Sequence, residues 1–373
     1  MNVFDAIIVG AGIVGAACAR ECAREGMRIA VVERDMVGGG ATAAGMGHIV
    51  IMDDSVAQLE LTRYSQQLWR QLLPELPQII EYETTGTIWI AAELQEMEEV
   101  HRKQAIYREH GIFTEILEQA ALRKREPNLH PDLQGGLLVP SDAVLYPPCA
   151  AHYLLKQAVQ MGAVVYRKAA RKIGQGHVEL DDGEVLKSGR IINAAGTASF
   201  ELTTGLPIRK RKGHLVITDR YPGFVRHQLV ELGYLRSAGS ETGDSVACNV
   251  QPRKTGQVLI GSSRQYEAED LEVDQEILVR MMLRVQRYLP SIDQLSVIRT
   301  WTGFRAATPD KLPLIGPYPD DPTVFLATGH EGLGITTSLA TARLLVDHFT
   351  GRPSAIPLEP YLLSRTMLAT QHA

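Results

Sequence analysis

The sequence predicts a two-domain α/β (α+β) fold, with a Rossmann-like dinucleotide-binding domain built from discontinuous segments and a second domain rich in β-sheet. Three observations predict it. A strand, a glycine turn, a helix and a second strand fill the first thirty-three residues; a stretch from about 209 to 303 reads as β-rich without nucleotide signals; the last seventy residues return to strand and helix. With 373 residues the chain exceeds the usual size of one domain, so two are expected.

The opening unit is the most specific signal. Phe4 to Val9 is a short apolar run, followed by Gly10-Ala11-Gly12-Ile13-Val14-Gly15, a small-residue helix to about Glu25, and a strand from Ile29 to Val32 that ends in Glu33. Gly10 permits the sharp turn, Gly12 lets backbone approach a pyrophosphate, and Gly15 lets helix and strand pack closely. The helix N-terminus offers unpaired N–H groups to phosphate, and Glu33 is placed to accept from a ribose diol.

Composition narrows the class. At 45% hydrophobic, 22% charged and a net charge of −5, the chain carries no footprint for nucleic acid. No run of about 18 apolar residues suggests a membrane span, and the first strand starts without a basic leader, so a cytoplasmic protein is expected. The four cysteines, Cys18, Cys22, Cys149 and Cys248, have no metal-ligand spacing and read as core thiols. Any iron–sulfur centre would lie on another chain.

Along the chain, Gly38 to His48 is a second glycine and alanine stretch, unsuited to a helix because each glycine costs about 1 kcal/mol there relative to alanine. Close backbone approach to a bulky group explains it. Ser55 to Leu73 reads as an amphipathic helix closed by Pro74 and Pro77, Thr85 to Ala91 as a strand, and Glu93 to Gly111 as a charged helix. Glu126-Pro127 and Tyr146-Pro147-Pro148 bracket strands and loops of the second domain. A helix from Cys149 to Met161, a strand from Gly162 to Arg167, a hairpin from His177 to Leu186 turning at Asp181-Asp182-Gly183, and a buried strand from Arg190 to Asn193 follow. Small residues Ala194-Ala195-Gly196-Thr197 close that strand. Further strands are expected at His214 to Thr218, Val246 to Gln251 and Val258 to Gly261, with a helix near Leu278 to Leu289. Val324 to Thr328 feeds Gly329-His330-Glu331-Gly332-Leu333-Gly334-Ile335 into a helix ending near Phe349, a second anion-seeking helix start. The tail from Gly351 carries prolines and little pattern. The nucleotide domain is therefore assigned to 1–83, 142–208 and 303–373, and the substrate domain to 84–141 and 209–302.

The N-terminal fingerprint, Ala194-Ala195-Gly196, Trp301-Thr302-Gly303-Phe304-Arg305, Pro313-Leu314-Ile315-Gly316 and Gly329-His330, in that order, resemble the FAD-dependent D-amino-acid oxidase superfamily. Thr42-Ala43-Ala44-Gly45-Met46-Gly47-His48 is most similar to the glycine and sarcosine oxidase branch, especially the flavin subunits of bacterial D-hydroxyproline dehydrogenase, opine oxidase and hydrogen cyanide synthase. The resemblance implies non-covalent FAD, since Leu314-Ile315-Gly316 offers no thiol for attachment. It extends the cofactor contacts from Gly10–Gly15, Glu33 and Arg34 to Ala41, Thr42, Ala43, Gly45, Met46, Gly47, His48, Ala170, Ala195, Gly196, Gly303 and Arg305, and to His330 through Ile335.

As a catalytic residue it implies Arg305, gripping a substrate carboxylate through its planar fork; His48, near the expected flavin, and Asn249, from the strand pattern below, are the other catalytic candidates. Without the motif, Arg305 reads as a surface arginine or half of an internal ion pair, with Asp310 as a candidate partner. Strand alternation puts Ala247, Asn249 and Gln251 on one face. Glycine oxidase carries a tyrosine where Asn249 falls, which favours a substrate bearing a hydroxyl or second polar group. For His48 and His330, a packed structural histidine and a proton-handling one both fit.

The implied reaction is hydride transfer from the α-carbon of an amino or imino acid to flavin N5, with D-hydroxyproline or a related cyclic D-imino acid first. A stand-alone oxidase of glycine, sarcosine or D-amino acids using O2, an opine oxidase subunit, an electron-transfer flavoprotein without its own substrate, and an NAD protein of the same fold are the alternatives. Companion redox subunits are implied, with peripheral attachment to an inner membrane through them. Arg209-Lys210-Arg211-Lys212-Gly213-His214 reads as a solvated basic face; a phosphate site there for FMN held at a subunit interface is the second reading.

Overall fold

In the computed structural model, which describes residues 3–233, 243–266 and 268–369, two large sheets divide the chain. The first has six strands, in the order Leu314–Tyr318, Asp321–Thr328, Ile191–Asn193, Ala6–Val9, Ile29–Val32 and Val164–Tyr166, parallel except for the hairpin at its edge. Both faces are covered. Ala6, Ile8, Ile29 and Val31 meet helices Ile13–Arg24, Pro147–Gln160 and Gly334–Thr350, while Ile7, Val9 and Val32 meet Ile173, Val178 and Leu186 of a three-stranded antiparallel sheet. Burial on both faces explains why Ala6–Val9 and Ile29–Val32 are apolar throughout rather than alternating.

The second sheet has eight strands: Val297–Ala307, Arg209–Arg220, Gln257–Arg264, Ser245–Pro252, Gln228–Glu231, Thr87–Ala91, Gly135–Val139 and Glu115–Glu118. Here the pattern alternates. Ile88, Ile90, Cys248, Val250 and Ile260 pack under Met281 and Val285 of helix Gln275–Gln286, which Asp274 caps through the amides of Glu276 and Ile277. Trp89, Val230 and Asn249 point the other way, into the cavity described below.

Several expectations are corrected. The helix expected from Cys149 begins at Pro147, because prolines are tolerated at first-turn positions whose N–H groups have no helical partner. The strand expected at His214 to Thr218 runs from Arg209 to Arg220, and the supposed solvated basic face is paired instead. Lys212 is 3% exposed and bonds Asp270 at 2.8 Å, Lys210 reaches Glu269, and Arg211 bonds Glu331. An FMN phosphate there would have to displace those carboxylates. Val297–Ala307 is one continuous strand across the expected boundary at 303. The tail holds a short turn at Glu359–Tyr361 and a helix at Ser364–Ala369. Among the described residues no helix is long and apolar enough to cross a membrane.

Candidate active site

One cavity of about 430 Å³ joins the two sheets. Its lining takes in Glu33, Arg34 and Lys168 beside the first sheet and Trp89, Asn249 and Arg305 from the second. Of the residues the sequence singled out for cofactor or catalysis, all but Ala11, Gly15, Ala43 and Gly47 line it. These four act differently. A Cβ on Gly15 would overlap the Gly10 carbonyl, and one on Gly47, at φ +98°, would overlap the Leu145 carbonyl, so both glycines serve close packing. Ala11 is buried, and Ala43 faces solvent.

The dinucleotide end has the required backbone. Gly10 adopts φ +100°, and a Cβ there would fall 2.5 Å from the Ala194 carbonyl oxygen. Gly12 heads helix Ile13–Arg24 without a capping side chain of its own, leaving the first-turn N–H groups after Ile13 for an anion. Thr42 ties in the second glycine stretch by accepting from the Ile13 amide at 3.0 Å. Glu33 accepts from the Ala11 amide at 2.7 Å and from that of Asp35 at 2.9 Å, so its carboxylate also braces the turn. At the second helix start, Gly334–Thr350 again lacks a capping side chain. Glu331 is held at φ +48°, its amide bonded to Ala306. A long cavity between two uncapped helix N-termini and a sheet face fits FAD, and none of the four cysteines lines it.

At the sheet end, Arg305 donates to the Ser263 carbonyl at 3.0 Å. Asp310, the candidate partner from sequence, binds Arg365 instead, at 2.7 Å. His48 Nδ1 meets Gln228 Oε1, and its Nε2 lies 3.4 Å from Asn249 Nδ2. Burial lowers the His48 pKa, and the nearby Arg305 charge acts in the same direction, so the ring is neutral at physiological pH. His330 is buried against Thr341 Oγ1 at 3.0 Å and is pushed down to about 3, which makes it a neutral packing residue. Of the expected specificity face, Asn249 lines the cavity and Gln251 bonds the Met46 carbonyl at 2.6 Å. Ala247, beyond a register shift between Val246 and Asn249, is buried away from it.

Sequence reasoning missed Gln228, Trp89 and Arg264, which also line the cavity. The alternation of Gln228-Leu229-Val230-Glu231, with Leu229 in the core and Val230 on the cavity, was a legible signal for a strand.

Comparison with known proteins follows the same geometry. A family model described as FAD dependent oxidoreductase (DAO) matches residues 5–348. The chain is 26% identical to the glycine oxidase of Geobacillus kaustophilus, with 97% of each covered. It is also 26% identical to the hydrogen cyanide synthase subunit HcnC of Pseudomonas aeruginosa, covering 97% of this chain and 96% of that one. The L-proline dehydrogenase of P. horikoshii superposes with a TM-score of 0.90 over 99% of both chains at 21% identity, a likeness of fold.

Proposed function

Because the chain belongs to the FAD dependent oxidoreductase (DAO) family, we propose that it oxidises an amino or imino acid whose carboxylate is held by Arg305. A cyclic D-imino acid such as D-hydroxyproline is the first substrate. The observation that carries this reading is the position of the Arg305 guanidinium in the same cavity as a neutral His48 and the Asn249 amide, between the cofactor-binding turn and the second sheet.

When bound, FAD supplies a two-electron, hydride-accepting centre. The Gly10–Gly15 turn and the helix start at Gly334 would hold its phosphates and ring edge, with the stretch from Ala41 to His48 alongside. Everything else falls to the chain. Arg305 fixes the carboxylate by a charge-assisted, bidentate pair, and each such hydrogen bond is worth about 1.5–3 kcal/mol. A cation close to the substrate amine also favours its neutral form, the one able to lose hydride. Apolar Met46, Leu215 and Val230 exclude water around the reacting carbon. Asn249 offers an amide to a polar group beyond the carboxylate.

HcnC is by name a subunit of a larger synthase, and companion chains that take up the electrons belong to the same proposal. The test is anaerobic addition of a panel of cyclic and acyclic amino acids of both hands to the yellow holoprotein. Bleaching of the flavin band by imino acids, lost in Arg305→Ala with FAD retained, is expected. A flavin that no member of the panel bleaches would leave an electron-carrying role instead.

A further inference from the structure

The segment from His48 to Asp54 runs along the cavity with alternating side chains. His48, Val50, Met52 and Asp54 line it, whereas Ile49 and Ile51 are packed in apolar clusters and Asp53 is held by Lys103. Facing it, the second sheet supplies a cross-strand row in which Asn249 pairs with Val230 and Val230 with Trp89. The two walls start together, where His48 Nε2 and Asn249 Nδ2 are 3.4 Å apart. Arg305 lies on the other side of Asn249, its fork over Gly213 two strands away in the sheet. A five-membered imino acid anchored there fills the space before Asn249, and the passage from Asn249 to Trp89, two further inter-strand steps or about 10 Å, stays beyond its reach. The far end of the passage is polar. Gln58 is 3% exposed, and its Oε1 accepts from the Asp54 amide at 3.3 Å, which fixes the orientation of the side-chain amide. Its Nε2 keeps contact with the open cavity and has no partner among the described residues. Lys311 stands 3.9 Å from Asp54, both partly exposed, so the cavity reaches the surface here.

We propose that this passage is a subsite for a linear apolar group on the substrate, about six carbons long and ending in a carbonyl or carboxylate oxygen that Gln58 Nε2 and Lys311 receive. This rests on the reading of Arg305 given above. It extends the substrate class from a bare ring to amino and imino acids that carry such a chain. Val50, Met52 and Val230 have no polar side-chain atoms to offer, and Trp89 Nε1 is enclosed, so the side chains along the passage present apolar surface only. Methylenes are favoured there, and a charge or hydroxyl half-way along would be desolvated without a partner. Each methylene buried strengthens binding about fourfold, the equivalent of about 0.8 kcal/mol.

The experiment uses the FAD-loaded protein. Straight-chain carboxylates from butanoate to decanoate lack the amine that the reaction needs, so their dissociation constants, read from the perturbation of the flavin spectrum, report the passage apart from the chemistry. The constant is expected to fall about fourfold per methylene. The tightest of the dicarboxylates from octanedioate to dodecanedioate should bind better than the monocarboxylate of its length, and Gln58→Met should weaken it about tenfold while leaving the monocarboxylate within about twofold. Met52→Trp fills the passage and should weaken decanoate more than about tenfold and butanoate less than about twofold. In the reaction itself, 2-aminooctanoate against alanine or N-hexylglycine against sarcosine should differ in kcat/KM on the order of a hundredfold. Constants that do not fall with chain length overturn the proposal. So does a Met52→Trp protein that weakens short and long acids alike, which would make the passage a route of entry. If Met52→Trp fails to retain FAD, the Gln58→Met comparison decides. A wild-type flavin that reports the gradient but is reduced by no amino or imino acid sinks the proposed function and leaves the subsite standing.

Discussion

The guanidinium of Arg305 lies where a side chain on Gly213 would have to be: a Cβ there would fall 2.6 Å from Nη2 and 2.7 Å from Cζ. The two residues sit on paired strands, and only the absence of a side chain at 213 lets the fork lie against the sheet. Gly213→Ala meets the flexible end of a long side chain, which can swing away, so the fold survives and the fork moves. Substrate KM is expected to rise between about tenfold and a hundredfold, the loss of one charge-assisted hydrogen bond, with flavin content unchanged. Steady-state kinetics beside the flavin spectrum checks it, and an unchanged KM would remove Arg305 from the binding site.

Gly303 predicts the opposite split. A Cβ there would overlap the Cβ of Ala44, in the second glycine stretch, and neither group has rotamers with which to escape. Gly303→Ala should push that stretch off the cavity and lower the FAD-to-protein ratio after desalting severalfold. A fully yellow Gly303→Ala protein contradicts the tight approach of strand and loop.

How much was legible follows the distance between partners. The turn from Gly10 to Glu33 was readable because its contacts close within about one βαβ unit; the Ala11 amide and Glu33 carboxylate are 22 residues apart. Alternation put Asn249 on a shared face with Ala247 and Gln251, but the register shift between Val246 and Asn249, which turns Ala247 away, could not be read from it. Gln228 could not be given its role, because the histidine it orients is 180 residues away and only sheet pairing brings them together. The basic run at 209–214 was misread for the same reason: the carboxylates that neutralise Lys210, Lys212 and Arg211 lie 59, 58 and 120 residues on. Charge runs show their sign in a sequence, but their partners appear only in the fold.

Two buried groups set opposing pH responses. His330 is held at about 3 by burial, so between there and its ordinary value near 6.5 the unfolded chain binds a proton that the folded one does not, and stability falls as pH drops. Asp142 is raised by burial to about 7, so from about 4 up to 7 the folded chain holds a proton that the unfolded one lacks, and stability falls as pH rises. Each slope is at most about 1.4 kcal/mol per pH unit, and they oppose each other between about 4 and 6.5. Asp142→Asn keeps an oxygen for the Ile51 amide and Gln66 but removes the second slope. Its thermal midpoint is expected to climb from pH 4 to 6.5 more steeply than that of the wild type. His330→Gln should instead fall over the same range. Parallel melting curves for Asp142→Asn and wild type would refute the assignment.

Lys103 carries the last prediction. It is 0% exposed, bonded to Asp53, which is 3% exposed, and its Nζ stands 4.3 Å from the centre of the Trp89 ring, one wall of the cavity. Two desolvated charges gain little net stability as a pair, but removing one strands the other, which typically costs about 3–5 kcal/mol. Asp53 is badly placed to absorb that loss, because its Oδ2 already lacks a partner among the described residues. Lys103→Met should therefore lose about 3–5 kcal/mol in urea unfolding of the holoprotein, whereas Lys103→Met with Asp53→Asn should recover most of it, since no buried charge then remains. A single variant within about 1 kcal/mol of wild type would mean that water reaches Asp53 and that the wall behind Trp89 is not dry.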